Sequence, residues 1–164
     1  MIGVNFNIGP SRDAIRRAIA LVNNMTPVYE DIGEYLLDQH KRRFVEGKAP
    51  DGTSWAPKSE ATLARYKRLG YGTLNSPLIG PSRLLSRMIQ RYVSRDGVII
   101  GSAQIYSRVM QEGAAEGAFG TNRRGQPLPW GRIPAREWLG MSAGNDAAVI
   151  EIVEEHLEDA LRQA

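Results

Sequence analysis

Three acidic side chains within five residues are the closest this sequence comes to a catalytic pair. Glu30, Asp31 and Glu34 fall on one predicted helix, and paired carboxylates are the machinery of many glycosidases. Carboxylates close to a helix N-terminus are also stabilised there without any catalytic role, and the sequence favours that interpretation. A small hydrolase using Glu30 or Asp31 is therefore the least favoured function class.

The two histidines do not indicate a metal site. His40 and His156 fall on different predicted helices, neither with a second ligand at helical spacing, so both are expected on helix surfaces. The chain contains no cysteine, which excludes disulfides, Cys-based zinc sites and cysteine nucleophiles. No Walker loop, G-x-S-x-G or H-E-x-x-H motif is present. We expect a protein that is not an enzyme and has no cofactor.

Charge is strongly separated along the 164 residues. Residues 61–95 hold seven basic side chains and no acidic one, whereas residues 137–164 hold seven acidic side chains and one arginine. Such a chain can pair head to tail with a copy of itself, or its basic middle can meet nucleic acid. Arg83, Arg87 and Arg91 recur every four residues and would share one face of a helix.

Hydrophobic periodicity predicts the elements that must position these residues. Residues 2–8 alternate as in a half-buried strand that Gly9-Pro10 ends, and Ser11 is expected to cap the next helix. Two further strands, near residues 89–94 and at 98–101, flank the turn Arg95-Asp96-Gly97. Helices are predicted over residues 11–24, 26–44 and 59–69, near 84 and 105, and from about 146. The fold class is α+β: one domain over residues 1–164, with a small antiparallel sheet and β-hairpin packed by long helices.

Residues 46–57, EGKAPDGTSWAP, predict a rigid corner. Pro50, Asp51 and Gly52 supply the preset φ, the side chain-to-backbone bond and the positive φ of a tight turn. Such a turn folds the chain back, so that Trp55 covers the end of the preceding helix and Pro57 stiffens the exit. A tryptophan among turn residues indicates a structural lid more than a platform for a ligand.

Residues 113–132 predict a long Gly/Pro-rich loop that serves as a mobile arm. The segment has five glycines, two prolines and no apolar period. A fully solvated loop has no need of large aromatic side chains, yet this one carries Phe119 and Trp130. Positive charge is added by Arg123, Arg124 and Arg132. We expect the arm to become ordered against a neighbouring subunit. The alternative is a loop folded onto its own domain with Trp130 as a lid.

Five motifs in order give the chain a resemblance to a known family. They are F-x-x-G-x-A-P-D-G-x-x-W-x-P at 44–57, the basic helix from Leu84, D-G-V-I-I-G at 96–101, residues 106–113, and I-P-A-R at 133–136 with the Leu139-Gly140 that follows. With these motifs the chain resembles the virion morphogenesis, or tail completion, family of tailed bacteriophages, including Mu-like phages.

The resemblance implies a non-enzymatic structural protein of the virion, assembled in the bacterial host cytoplasm. It implies a homo-oligomeric ring in the neck, where head and tail connect, or in tail completion, with portal, other neck or tail proteins as partners. No apolar window is long enough for a membrane span, so no membrane role is expected. The alternative is a DNA-associated structural protein that uses the basic face of a helix. The candidate interface comprises Arg83, Arg87, Arg91, Phe119, Arg123, Arg124, Trp130, Arg132, Arg136, Glu151, Glu154, Glu155 and Glu158.

Overall fold

A computed structural model describes residues 8–162, which form six helices and one two-stranded antiparallel sheet. The elements in chain order are α1 (Gly9–Asn23), α2 (Thr26–Glu46), α3 (Glu60–Arg68), α4 (Leu84–Arg87), β1 (Ile89–Ser94), β2 (Gly97–Ser102), α5 (Ser107–Glu112) and α6 (Ala143–Arg162). The predicted α+β class is confirmed. The strand predicted at residues 2–8 lies outside the described residues, apart from Ile8.

Helix α1 begins earlier than its sequence predicts. Gly9 and Pro10 are already helical, with Pro10 in the first turn of α1. The first helical N–H groups have no intrahelical partner, so the N–H that proline lacks costs nothing there. Ser11 accordingly lies inside the helix, and no side chain caps its N-terminus.

Helix α2 supplies residues to two hydrophobic clusters. Near its start, Val28, Ile32 and Leu36 are buried where α1, α6 and the hairpin converge. At its other end, Phe44 belongs to a cluster built largely from loops and the start of the hairpin, with Trp55, Leu85, Ile89 and Trp138 as the other buried members. The two clusters bury both ends of one 21-residue helix, so α2 is the element on which the rest of the fold packs.

The β-hairpin lies with one face against α2 and the other face open. Val98 and Ile100 pack toward α2, while Tyr92 and Ile99, directly opposite each other in the register, are exposed. Gly33 allows the close approach: a Cβ there would lie 2.9 Å from Cγ2 of Val98. A glycine in a helix interior destabilises the helix by roughly 1 kcal/mol relative to alanine. At position 33, this cost is offset by the close packing of the sheet against α2.

Replacing Trp55 with alanine should lower the free energy of unfolding by roughly 3–5 kcal/mol, because a large buried aromatic is removed. Trp55 is 6% exposed. The matched control is Trp130→Ala, since Trp130 is 74% exposed. Urea unfolding of both variants is the measurement. Equal effects of the two substitutions would contradict the structural role of Trp55.

Candidate assembly surfaces

The predicted corner residues form a closed turn after α2. The backbone N–H of Gly52 donates to the carbonyl of Ala49 at 3.0 Å, which closes a turn around Pro50 and Asp51. The carboxylate of Asp51 accepts from the backbone N–H of Thr53 at 2.8 Å, and this bond lowers the pKa of Asp51. The chain is thereby directed back toward the end of α2.

Trp55 covers the end of α2. Its ring meets Phe44 edge to face with centroids 5.5 Å apart, and Trp138 lies on the same phenylalanine at 6.0 Å. The indole N–H of Trp55 donates to the carbonyl of Glu137 at 3.1 Å. The aromatic face is therefore occupied by the protein's own core, and this side chain is not a platform for a ligand.

Arg136 is buried and is not part of an interface, contrary to the prediction from sequence. Its side chain donates to the carbonyl of Ala56 at 2.7 Å and to that of Pro57 at 2.8 Å. Arg136 is only 7% exposed, and burial lowers its pKa. The guanidinium holds the exit of the corner against the loop that precedes α6, so it is unavailable to a partner.

Lys58 likewise holds the loop between α3 and α4 through backbone carbonyls. Its ammonium group donates to the carbonyls of Leu74 and Ile79, the second at 2.6 Å. It also lies 4.8 Å from the centre of the Tyr66 ring, a cation–π contact. Burial lowers the pKa of Lys58, with the nearby charge of Arg136 as a second cause.

Arg43 connects α2 to the start of α6. Its guanidinium donates to the carbonyl of Gly140 at 2.7 Å, to that of Trp138 at 3.3 Å, and to the Asn145 side chain at 2.8 Å. Burial lowers its pKa, yet arginine stays charged at any physiological pH. The positive charge is therefore compensated by carbonyl and amide dipoles.

His40 is buried, so its predicted place on a helix surface is wrong. Its Nε2 accepts from the backbone N–H of Gly140 at 3.3 Å, which leaves the proton on Nδ1, and Nδ1 donates to the carbonyl of Leu36 at 2.5 Å. Burial lowers the pKa of His40 because the charged ring would lose its hydration. Both ring nitrogens are engaged, so His40 is not placed as a metal ligand.

Arg91 belongs to the hairpin, and the predicted helical row of three arginines is wrong. Because α4 ends at Arg87, Arg91 falls on β1, whose alternation turns it toward α2. Its guanidinium donates to the Glu30 carboxylate and, at 2.7 Å, to the Glu30 carbonyl, and it lies 3.9 Å from the Glu34 carboxylate. Arg91 is thus an internal tie between sheet and helix.

The acidic trio on α2 connects elements of the fold. Glu30 and Glu34 face Arg91, and Asp31 contacts Nε2 of His156 on α6 at 2.7 Å. None of the three lies in the first turn of α2, so the interpretation as helix N-terminal charges is also wrong. Among residues 8–162, no three or more Asp, Glu or His side chains form a cluster that could hold a metal ion.

Two arginines of the predicted row remain available. Arg83 precedes α4 and Arg87 ends it; both are exposed, and neither has an ion-pair partner in the described part of the chain. They border a shallow cleft of about 410 Å³, together with Lys41 and the exposed Val45. We call Arg83 and Arg87 the basic surface.

The segment from 113 to 132 folds back as a narrow arm. Its base is closed by backbone bonds between Ala114 and Ile133, 2.8 and 2.9 Å long. Gly113 is required at this base: its φ is +75°, and a Cβ would lie 2.7 Å from the Ile133 carbonyl and the Ala135 nitrogen. Further out, the N–H of Phe119 donates to the carbonyl of Leu128 at 2.7 Å.

Both aromatic side chains of the arm face solvent. Phe119 and Trp130 are exposed, so the alternative in which Trp130 is a lid on its own domain is wrong. Arg123, Arg124 and Arg132 are exposed as well and have no ion-pair partner within residues 8–162. The arm therefore presents aromatic and positively charged groups together.

Helix α6 presents acidic side chains on the side away from the core. Val149, Ile152 and Val153 pack toward α2. The exposed glutamates of α6 are Glu151, Glu154, Glu155 and Glu158, of which Glu158 pairs with Arg162 at 2.6 Å. We call these four glutamates the acidic surface. The remaining three form no ion pair within the described chain.

Comparison with known proteins identifies the chain. The model of the phage virion morphogenesis family matches residues 7–158 of the 164. The chain belongs to this family. No curated protein and no solved structure matches it significantly. Family membership makes it a virion-associated phage protein with a structural role in morphogenesis. None of the helices of this virion morphogenesis protein within residues 8–162 is long and apolar enough to cross a membrane.

The buried cations of the virion morphogenesis protein are what sequence reasoning missed. Sequence patterns give Arg43 and Lys58 no special role and place Arg136 in the candidate interface. One signal was available: Lys58 follows Trp-x-Pro and Arg136 lies between Ile-Pro-Ala and Glu-Trp, so both are cations flanked by apolar and proline residues in loops. Such surroundings favour burial over a solvated position.

His40 should make the virion morphogenesis protein less stable at mildly acidic pH. Its folded-state pKa lies below the ordinary value of 6.5, so the unfolded chain binds the proton first as the pH falls. The stabilisation is complete above the unfolded-state pKa and is lost as the pH falls toward the folded-state value. Urea unfolding between about pH 7.5 and 5 should show this decline, and His40→Gln should flatten it.

The control is His156→Gln, which removes the half-buried histidine that contacts Asp31 and should retain the decline. A His40→Gln protein that loses stability with pH as steeply as the parent would show that other groups are responsible.

Proposed function

We propose that this protein is a non-catalytic ring component of the phage neck or of tail completion, assembled by head-to-tail contact between copies. The basic surface and the arm of one copy meet the acidic surface of the next. The observation that carries the proposal is that exposed, unpaired charges of opposite sign occupy separate elements: Arg83 and Arg87 around α4, and Glu151, Glu154 and Glu155 on α6.

Two different surfaces that fit each other produce a heterologous contact. Such contacts generate closed rings when the rotation between neighbours divides a full turn, and open filaments when it does not. Charged groups at an interface steer association and fix its register more than they add affinity. The charges therefore set the orientation of the contact, and other groups must provide its affinity.

The arm supplies the groups that give affinity. Buried aromatic and arginine side chains dominate the energetics of interfaces, and the arm carries Phe119 and Trp130 beside three arginines. Helix α6 offers an aliphatic counterpart, since Ile150 and Leu161 are exposed among its glutamates. Aromatic and cationic groups on one side then face aliphatic and anionic groups on the other.

A DNA-associated role is the second candidate. It is favoured by the last turn of α3, which places Arg65, Lys67 and Arg68 together in exposed positions. Cations that contact phosphates give an affinity that falls steeply with salt. Duplex binding with that dependence, lost on Arg65→Ala/Arg68→Ala but not on reversal of Glu151 and Glu154, would favour this candidate over the ring.

Charge exchange between the two surfaces tests the head-to-tail contact. Arg83→Glu/Arg87→Glu and Glu151→Arg/Glu154→Arg should each reduce assembly at least tenfold, because like charges then face each other. The chain that carries all four substitutions should regain assembly. Incorporation into particles and sedimentation of the isolated protein are the measurements, and Arg95→Glu, in the hairpin turn, is the control. Failure of the fourfold variant to recover would contradict the pairing.

The arm should be flexible in the free chain and ordered after assembly. An isolated two-stranded hairpin is marginally stable in water, and the backbone bonds of the arm are local. Hydrogen exchange of the arm amides should therefore be fast in the free protein and slow in the assembled form. Slow exchange before assembly would contradict this expectation.

Deleting residues 116–126 should leave the melting temperature nearly unchanged, because the hydrophobic clusters contain none of them. The same deletion should impair ring formation or incorporation. The double substitution Phe119→Ser/Trp130→Ser, which keeps the length of the arm, separates loss of aromatic contact from loss of the segment.

A further inference from the structure

We propose that β2 pairs with β2 of a second copy about a two-fold axis at Ile99, which makes the two hairpins one four-stranded antiparallel sheet. The contact uses neither charged surface nor the arm. It is therefore independent of the head-to-tail contact, and either can fail without the other.

One edge of the hairpin has no backbone hydrogen-bond partner among the described residues. Ser94 and Gly97 close a two-residue turn, so hydrogen-bonded pairs alternate from there and include Tyr92 with Ile99. The backbone groups of Val98 and Ile100 consequently point away from β1. No described residue forms a backbone hydrogen bond with either across that edge.

The edge of β2 lacks the features that normally protect a strand edge. Proteins block edges with charged residues, prolines, bulges or inward-pointing charges. The sequence of β2, GVIIGS, has no charge and no proline, and its register has no bulge. β1 in contrast holds Arg91, a charge directed inward at mid-strand. Of the two edges, β2 is therefore the one open to another strand.

β2 is also its own complement. In an antiparallel pair centred on Ile99, Val98 of each copy lies opposite Ile100 of the other, and these are the residues whose backbone groups point outward. Four hydrogen bonds form, and the two Ile99 residues become a non-hydrogen-bonded pair, in which side chains approach most closely. A two-fold contact requires this kind of self-complementarity.

The open face of the sheet supports the same register. Tyr92 and Ile99 are 68% and 67% exposed and lie opposite each other. Pairing at Ile99 places them in the row Tyr92, Ile99, Ile99, Tyr92 across four strands. Aromatic and β-branched neighbours across strands stabilise sheets, and a two-stranded hairpin alone is marginal. The second copy thus extends the apolar row and also provides hydrogen-bond partners for the outward backbone groups of β2.

Single cysteines test the axis, because the chain has none of its own. In the predicted pair the Cα atoms of the two residues 99 lie about 4.5 Å apart, within disulfide range. Ile99→Cys should form a covalent dimer rapidly under mild oxidation of the full-length protein. Tyr92→Cys is the matched control: it has the same face and exposure, but its two copies lie three strand spacings, about 14 Å, apart.

The other outcomes overturn the proposal, each in its own way. Cross-linking of Tyr92→Cys alone would indicate pairing through β1. Cross-linking only in a mixture of the two variants would indicate pairing of β2 with β1 of the next copy. Cross-linking of Ile99→Cys only after removal of residues 1–7 would identify that segment as the occupant. No cross-link in any case would mean that the edge is free.

A second measurement does not depend on chemistry at the axis. Ile99→Lys places two like charges directly opposite each other and should weaken dimerisation at least tenfold in sedimentation equilibrium. Tyr92→Lys adds the same charge to the same face, away from the axis, and should weaken it less. Both positions are exposed in the single chain, so circular dichroism should show an unchanged fold. Equal effects of the two lysines would contradict the two-fold axis.

Discussion

The irregular backbone of this protein must find hydrogen-bond donors for its buried carbonyl groups, and the rest of the structure depends on how it does so. Arg43, Lys58 and Arg136 donate to two carbonyls each. Hydrogen bonds to charged groups contribute roughly 1.5–3 kcal/mol, and a carbonyl left buried without a donor costs a comparable amount. Because one long side chain reaches two carbonyls, a single residue positions a whole loop.

The three cations differ in what they connect, and together they determine which surfaces remain free. Arg43 attaches the loop before α6 to α2, Lys58 gathers the loop after α3, and Arg136 joins the corner to the segment that follows the arm. Because these three cations are buried and bonded to carbonyls, they are not available to bind other molecules. The charges left outside this framework, which include those at α3, at α4, on the arm and on α6, remain exposed.

The hairpin and the long helices are predictable because their signals are local. The turn Arg95-Asp96-Gly97 between two apolar runs fixes both strands, and Pro27 with an apolar stripe fixes α2. The role of Arg91 is not predictable in this way. The strand signal places this residue on β1, whereas its four-residue spacing from Arg87 suggests one helix face, and the contact that decides its role is with Glu30, 61 residues away. Burial of Arg136 likewise depends on carbonyls some 80 residues distant.

Recognition through carbonyl groups leaves the sequence of the loops unusually free to change. A backbone carbonyl is the same group whatever side chain its residue carries, so Lys58 would hold residues 74 and 79 equally well after many substitutions there. The loops can therefore drift while their path is retained, provided the three cations persist. The outer surface of the protein can therefore change in sequence while the scaffold beneath it keeps its path.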